Sequence, residues 1–105
     1  MTTALLPICY QPSVGVTGAQ IVPQNPSRKA LLFFNPSANT VTIFPALNSS
    51  GQPPAVALNG AGGISVLSGG MLALPQGGWP DNIGLGSAWL AIASGASTPF
   101  TVWEF

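Results

Sequence analysis

The sequence predicts an all-β domain, and three observations carry that prediction. Apolar runs are short. Turn signals separate them about every 8–12 residues, the spacing of a sandwich or small barrel. No stretch of useful length repeats apolar residues at the three- and four-residue intervals of an amphipathic helix. The 13 glycines and 11 prolines of the 105-residue chain fall between those runs and act as punctuation. At this length the chain is one domain with room for one core.

Taken in order, residues 1–28 read as an extended, Pro-rich arm. Pro7, Pro12, Pro23 and Pro26 limit regular pairing there, although Ala19–Val22 can form an edge strand. Asn25-Pro-Ser27 is a turn. The run Lys29–Phe34 is the strongest strand, and its unbroken apolar stretch predicts burial on both faces. Asn35–Asn39 turns the chain, and Thr40–Phe44 follows with period-two alternation. The two strands together predict a hairpin with a longer loop. Residues 48–54 form a polar loop and Ala55–Leu58 a weak strand. Ile64–Leu67 and Met71–Leu74 are short strands around Ser68-Gly-Gly70. Residues 75–86 make a long loop around Trp79. Ser87–Ala93 is a further apolar strand containing Trp89, read as core, and Phe100–Phe105 closes the chain. The domain expected is thus residues 29–105, with 1–28 as its arm.

Charge is the unusual quantity. Only 4% of residues are charged and 47% are hydrophobic, against about 25% charged in an average soluble protein. Arg28, Lys29, Asp81 and Glu104 are the charged side chains, and they cancel. Little repulsion then separates copies of the chain, which points to a surface covered by other copies or by a partner. Disorder is disfavoured, because it combines low hydrophobicity with high net charge. Two adjacent cations cannot provide a phosphate-binding footprint, so nucleic acid is not an expected partner. No apolar stretch approaches the roughly 18 residues of a membrane-spanning helix, and none is expected. The N-terminus lacks a basic segment and Pro7 interrupts its apolar run, unlike a signal peptide.

Catalytic chemistry is not expected. There is no histidine, the commonest general base and metal ligand. Asp81 and Glu104 read as a turn residue and a surface or interface residue rather than a carboxylate pair. Cys9 has no base to activate it and no second cysteine to bridge to. The glycine clusters lack the strand and helix context of a phosphate cradle. No metal, cofactor or catalytic residue is therefore expected.

Assembly is where the aromatic residues point. Trp79 lies in a Gly-Gly-Trp-Pro loop, either folded over the core or offered to a partner. In the last strand Phe100, Val102 and Glu104 share one face, and Thr101, Trp103 and Phe105 share the other. Apolar groups on both parities predict packing on two sides. The arm, with Ile21 and Val22 as apolar contacts, suits draping over a neighbour. Arg28 either pairs with Glu104 across chains or caps a solvated strand end, the latter being the simpler expectation.

Asn25–Ser37 reads Asn-Pro-Ser-Arg-Lys-Ala-Leu-Leu-Phe-Phe-Asn-Pro-Ser, which resembles the Asn-Pro-x-Arg-x-x-Leu-x-x-x-Asn opening of small bacteriophage virion proteins. A Val-Thr-Ile strand, the Leu67-Ser-Gly-Gly70 centre and the ending Ser87–Ala93 with Phe100–Glu104 extend the likeness over residues 21–105. The chain is similar to capsid decoration (cement) and related head proteins. The resemblance implies a single-domain β-sandwich of jelly-roll-like form with about seven or eight short strands, often a homotrimer. Such a protein docks on the major capsid protein lattice of a virion assembled in a bacterial cytoplasm and stabilises it. A minor spike, fibre or tail accessory protein is the alternative in the same class. A small carbohydrate-binding β-sandwich, using Trp79 and Asp81, is the alternative in another.

Overall fold

β-Branched and aromatic residues bracketed by proline and glycine build ten short strands in the computed structural model, which describes residues 7–46, 63–74 and 87–105. In chain order they are β1 (Ile8–Tyr10), β2 (Ser13–Val14), β3 (Ala19–Val22), β4 (Leu31–Phe34), β5 (Val41–Pro45), β6 (Ile64–Val66), β7 (Met71–Leu74), β8 (Trp89–Ala93), β9 (Thr98–Pro99) and β10 (Thr101–Glu104). Among the described residues there is no helix. Ala55–Leu58 and the loop around Trp79 lie outside the described residues.

The strands form two four-stranded sheets and one two-stranded ribbon, antiparallel throughout. The first sheet has the order β1-β10-β4-β7 and the second β3-β8-β5-β6, while β2 pairs with β9. The ribbon explains how the sheets are joined. Segment β1-β2-β3 runs beside β8-β9-β10 along its length, crossing from one sheet to the other at Ser13↔Pro99 and Val14↔Thr98. Backbone bonds from Phe100 N to the Pro12 carbonyl and from Ala93 N to the Gly15 carbonyl fill the steps between the ladders.

The core lies between the two inner faces, as in any all-β sandwich. Leu31, Phe33, Leu74 and Val102 come from the first sheet; Val22, Val41, Ile43, Val66, Trp89, Ala91 and Ala93 come from the second. The Phe33 ring packs against Trp89 at 5.5 Å and Phe100 at 6.3 Å between centroids. These spacings lie within the range favoured by tilted and offset aromatic pairs. Trp89 is a core residue, as its apolar setting predicts.

Three sequence expectations change here. Residues 8–22 are not a detached arm: they supply β1, β2 and β3, and Val14, Ile21 and Val22 are buried in the core. The prolines there sit at strand ends, with Pro7 before β1, Pro12 before β2 and Pro23 after β3, so none removes an internal ladder bond. Nor do β4 and β5 form a hairpin, because they belong to different sheets. The 35–39 segment carries the chain across the sandwich instead. Burial is also redistributed: β4 alternates buried and half-buried, whereas Val41–Phe44 of β5 are buried on both faces. Outer-face residues Thr42, Phe44 and Ile92 are covered, so the central part of the second sheet has two dry sides.

Candidate interaction face

The first sheet has the opposite character. Alternation turns Val102, Glu104, Leu31, Phe33 and Leu74 inward, and turns the residues between them outward. Ladder register aligns Cys9, Trp103, Leu32 and Ala73 in one row across all four strands. Thr101, Phe34 and Met71 form the next row. On the other side Phe105 and Ala30 exchange backbone N–H and carbonyl bonds at 3.0 and 3.2 Å, extending the β10·β4 ladder by one pair. Nine outward positions therefore carry no charge, and their side-chain polar groups are the Thr101 hydroxyl, the Trp103 indole N–H and the Cys9 thiol. Met71 is 67% exposed and Phe105 48% exposed, while Trp103, Leu32 and Phe34 are half-buried. A solvated antiparallel sheet normally alternates apolar inside with polar outside. This face breaks the rule.

Of the residues expected to carry an interface, Trp103 and Phe105 lie on this face. Ile21 and Val22 do not lie on any surface. The register shift between Gln20 and Val22 is a bulge, and it lets two successive residues of β3 be buried. Trp79 lies outside the described residues. Leu32 and Phe34, whose apolar run predicts packing on both sides, lie on it too, and Met71, Ala73 and Cys9 join it unforeseen. Two-sided apolar character in both β4 and β10 is the signal in the sequence, since the two strands pair.

Arg28 is the clearest correction. Its side chain is fully buried beside Glu104 in the same chain. Arg28 Nε donates to Glu104 Oε2 at 2.7 Å, Nη1 to the Ser87 carbonyl at 2.8 Å and Nη2 to the Pro23 carbonyl at 2.6 Å. Strand pairing brings the partners together: Glu104 is opposite Leu31, three residues after Arg28. Two of the chain's four charged side chains thus neutralise each other inside the fold, and the surface is left even poorer in charge.

Tyr10 completes this corner, its hydroxyl donating to Glu104 Oε1 at 3.4 Å. Burial raises the Tyr10 phenol above its ordinary value of 10.0, and the Glu104 charge and hydrogen bond add to the shift while Arg28 opposes it. The unfolded phenol then ionises first. Above about pH 10 the unfolded chain holds fewer protons than the folded one, so stability falls as pH rises. Equilibrium unfolding followed between pH 9 and pH 11 is expected to show this decline, and Tyr10→Phe to make it shallower. An equal slope in both proteins would contradict the assignment.

No group of three histidine, cysteine or carboxylate side chains converges among the described residues, and every buried side-chain nitrogen and oxygen among them has a hydrogen-bond partner. Comparison of the chain with models of protein families, with curated proteins and with solved structures returns no match.

Proposed function

We propose that the chain is a virion structural protein, a capsid decoration (cement) protein or a related head component, which docks its first sheet's outer face on the major capsid protein lattice. The uncharged, apolar outer face carries this reading. A soluble protein gains nothing from exposing such a plane to water, whereas a lattice partner that covers it gains about 25 cal/mol for each Å² of apolar area buried. Repetition over many symmetric copies then turns a modest contact into mechanical reinforcement.

Strand order supports the finer description of the sandwich. With the β2·β9 ribbon set aside, eight strands remain. Their ladders join first with eighth (β1·β10), second with seventh (β3·β8), third with sixth (β4·β7) and fourth with fifth (β5·β6). A long hairpin rolled around itself pairs in that way, and the β10·β4 and β8·β5 ladders close the roll. We read the fold as a jelly roll, an architecture found in viral capsid and lectin domains. Fold alone assigns no function; the apolar outer face is the observation that supports this reading. The glycan-binding alternative depends on Trp79 and Asp81, which lie outside the described residues, and nothing on the first sheet favours it.

The test is co-sedimentation with capsids of the phage that encodes the chain. The unaltered protein should pellet with the particles at a fixed stoichiometry. Trp103→Lys, which places a charge at the centre of the face without touching the core, should reduce binding at least about tenfold, since aromatic anchors at interface centres are worth about 2 kcal/mol or more. Absence of particle binding, or binding indifferent to Trp103→Lys in a folded variant, would refute the docking role.

A further inference from the structure

The four sheet edges are not alike. An edge strand presents unpaired backbone groups, and proteins guard such edges with short strands, prolines, charges or bulges. Here β1 has three residues and follows Pro7; β6 has three residues; β3 carries a bulge and ends at Pro23. β7 is the exception. It runs four residues, Met-Leu-Ala-Leu, in an unbroken ladder with no charge or bulge; Pro75 follows it as Pro23 follows β3, but it has neither the bulge of β3 nor the shortness of β1 and β6, and Met71 and Ala73 are exposed. Among the described residues no strand pairs with its outer side.

Hydrogen-bond parity fixes which groups face outward. Ala30 and Phe105 exchange bonds, so Leu32 and Phe34 also direct their backbone groups toward β10, while Leu31, Phe33 and Asn35 direct theirs toward β7. Asn35 N indeed donates to the Gly70 carbonyl at 3.0 Å. Residues 70, 72 and 74 therefore bond β4, and Met71 and Ala73 point their N–H and C=O groups away from the sheet.

We infer that β7 pairs with β7 of a second copy, antiparallel about a two-fold axis at Leu72, with Met71 opposite Ala73 of the other copy. Only a register that sets odd residues opposite odd ones keeps outer faces together, and this register satisfies all four outward N–H and all four outward C=O groups with four bonds from donors to acceptors on each other's strands. A second copy suits the edge for two reasons. Identical uncharged strands meet with no electrostatic cost, and the first sheet becomes an eight-stranded sheet with one continuous apolar face. Strand spacing of about 4.8 Å and a rise of about 3.4 Å give the single face roughly 260 Å² in projection, about a third of the roughly 800 Å² each partner contributes to a standard interface. Pairing doubles it. The dimer itself does not depend on the docking role proposed above.

Sedimentation velocity of the full chain over a range of concentrations tests this pairing. The expected result is a reversible dimer. Ala73→Pro deletes an outward N–H without removing a bond to β4, and should weaken the dimer about tenfold or more with circular dichroism unchanged. A charge exchange keeps the test decisive if that variant folds poorly. Met71→Lys/Ala73→Lys and Met71→Glu/Ala73→Glu should each be monomeric, because like charges stand directly opposite, and an equimolar mixture should restore a heterodimer. A monomer at every concentration, a trimer, or a dimer that these variants leave intact would overturn the pairing. Capsid binding by a chain that stays monomeric would overturn the pairing while leaving the docking role standing.

Discussion

Glu104→Gln is expected to destabilise the protein by about 3–5 kcal/mol, because it removes the carboxylate that faces the buried Arg28 guanidinium. Among the described residues Arg28 donates to the Glu104 carboxylate and to the carbonyls of Ser87 and Pro23, and of these three acceptors only the carboxylate is charged. With the carboxylate neutralised, the acceptors left to the guanidinium among these three are neutral carbonyls. A loss of that size takes a large share of the 5–15 kcal/mol that holds an ordinary domain together. For a chain of about 100 residues it corresponds to roughly 15–30 °C in thermal midpoint. The pair itself contributes less than the loss implies, since both ions were stripped of water to form it. The double variant Arg28→Met/Glu104→Leu should therefore recover much of the stability lost in either single variant, although it strands the Ser87 and Pro23 carbonyls. Thermal unfolding of the wild type, Arg28→Met, Glu104→Leu and the double variant supplies the cycle, and the coupling between the two positions should be at least about 1 kcal/mol. Additive effects would mean that Arg28 and Glu104 act separately. Added salt should change little, because screening acts weakly on a buried pair.

This pair also shows where reading a sequence stops. Composition revealed how few charges the chain has, and local pattern placed a strand after Arg28 and another ending near Glu104. Neither tells which strands are neighbours. Once β10 lies beside β4 the two charges meet, and their rarity becomes a reason to suspect a buried pair. The same limit explains the lost hairpin. Thr40–Phe44 has the alternation of a half-solvated strand, and a loop of turn-formers precedes it, so a hairpin is the economical local solution. The actual partners of β5 are β6 and β8, which the local sequence of β5 does not encode. Strand existence was far more legible: β3, β4, β5, β6, β7, β8 and β10 each fall within a run marked by apolar pattern and turn residues. The exposed face was half legible, through Trp103, Phe105 and the apolar run that holds Leu32 and Phe34. Its remaining members became visible only with the β4·β10 and β4·β7 registers.

Asn35→Asp should cost more than Asn35→Ala, and the order of the two is the informative result. Asn35 is fully buried at the start of the crossover from the first sheet to the second. Its Nδ2 donates to the carbonyls of Asn39 at 2.7 Å and Val66 at 2.8 Å, and its Oδ1 accepts from Ser37 N at 3.0 Å and Ser37 Oγ at 2.6 Å. Only the amide end with two hydrogens can face two carbonyls, so the side chain has one usable orientation. Its backbone is equally committed: the N–H donates to Gly70, and the carbonyl accepts from Gly69 at 2.8 Å. Gly69 sits at φ 73°, a conformation that costs glycine little. One residue thus ties the 35–39 segment to the end of β6 and to the 67–70 turn, and it supplies the bonds that a hairpin ladder would otherwise have made. Alanine removes both donors; the Asn39 carbonyl keeps Ser37 Oγ at 3.2 Å, but the buried Val66 carbonyl loses this partner, at about 1–3 kcal/mol for a group left unsatisfied. Aspartate keeps the shape but presents an oxygen to two carbonyl oxygens and places a charge where no water reaches, which adds several kcal/mol more. Urea unfolding at neutral pH should rank the proteins wild type, Asn35→Ala, Asn35→Asp in falling stability, with Asn35→Asp close to complete unfolding. Acidification that neutralises the new carboxyl should raise Asn35→Asp toward the alanine variant, because a protonated acid regains one donor. Equal stability of the aspartate and alanine variants at neutral pH would show that the amide's two hydrogens do not hold the crossover in place.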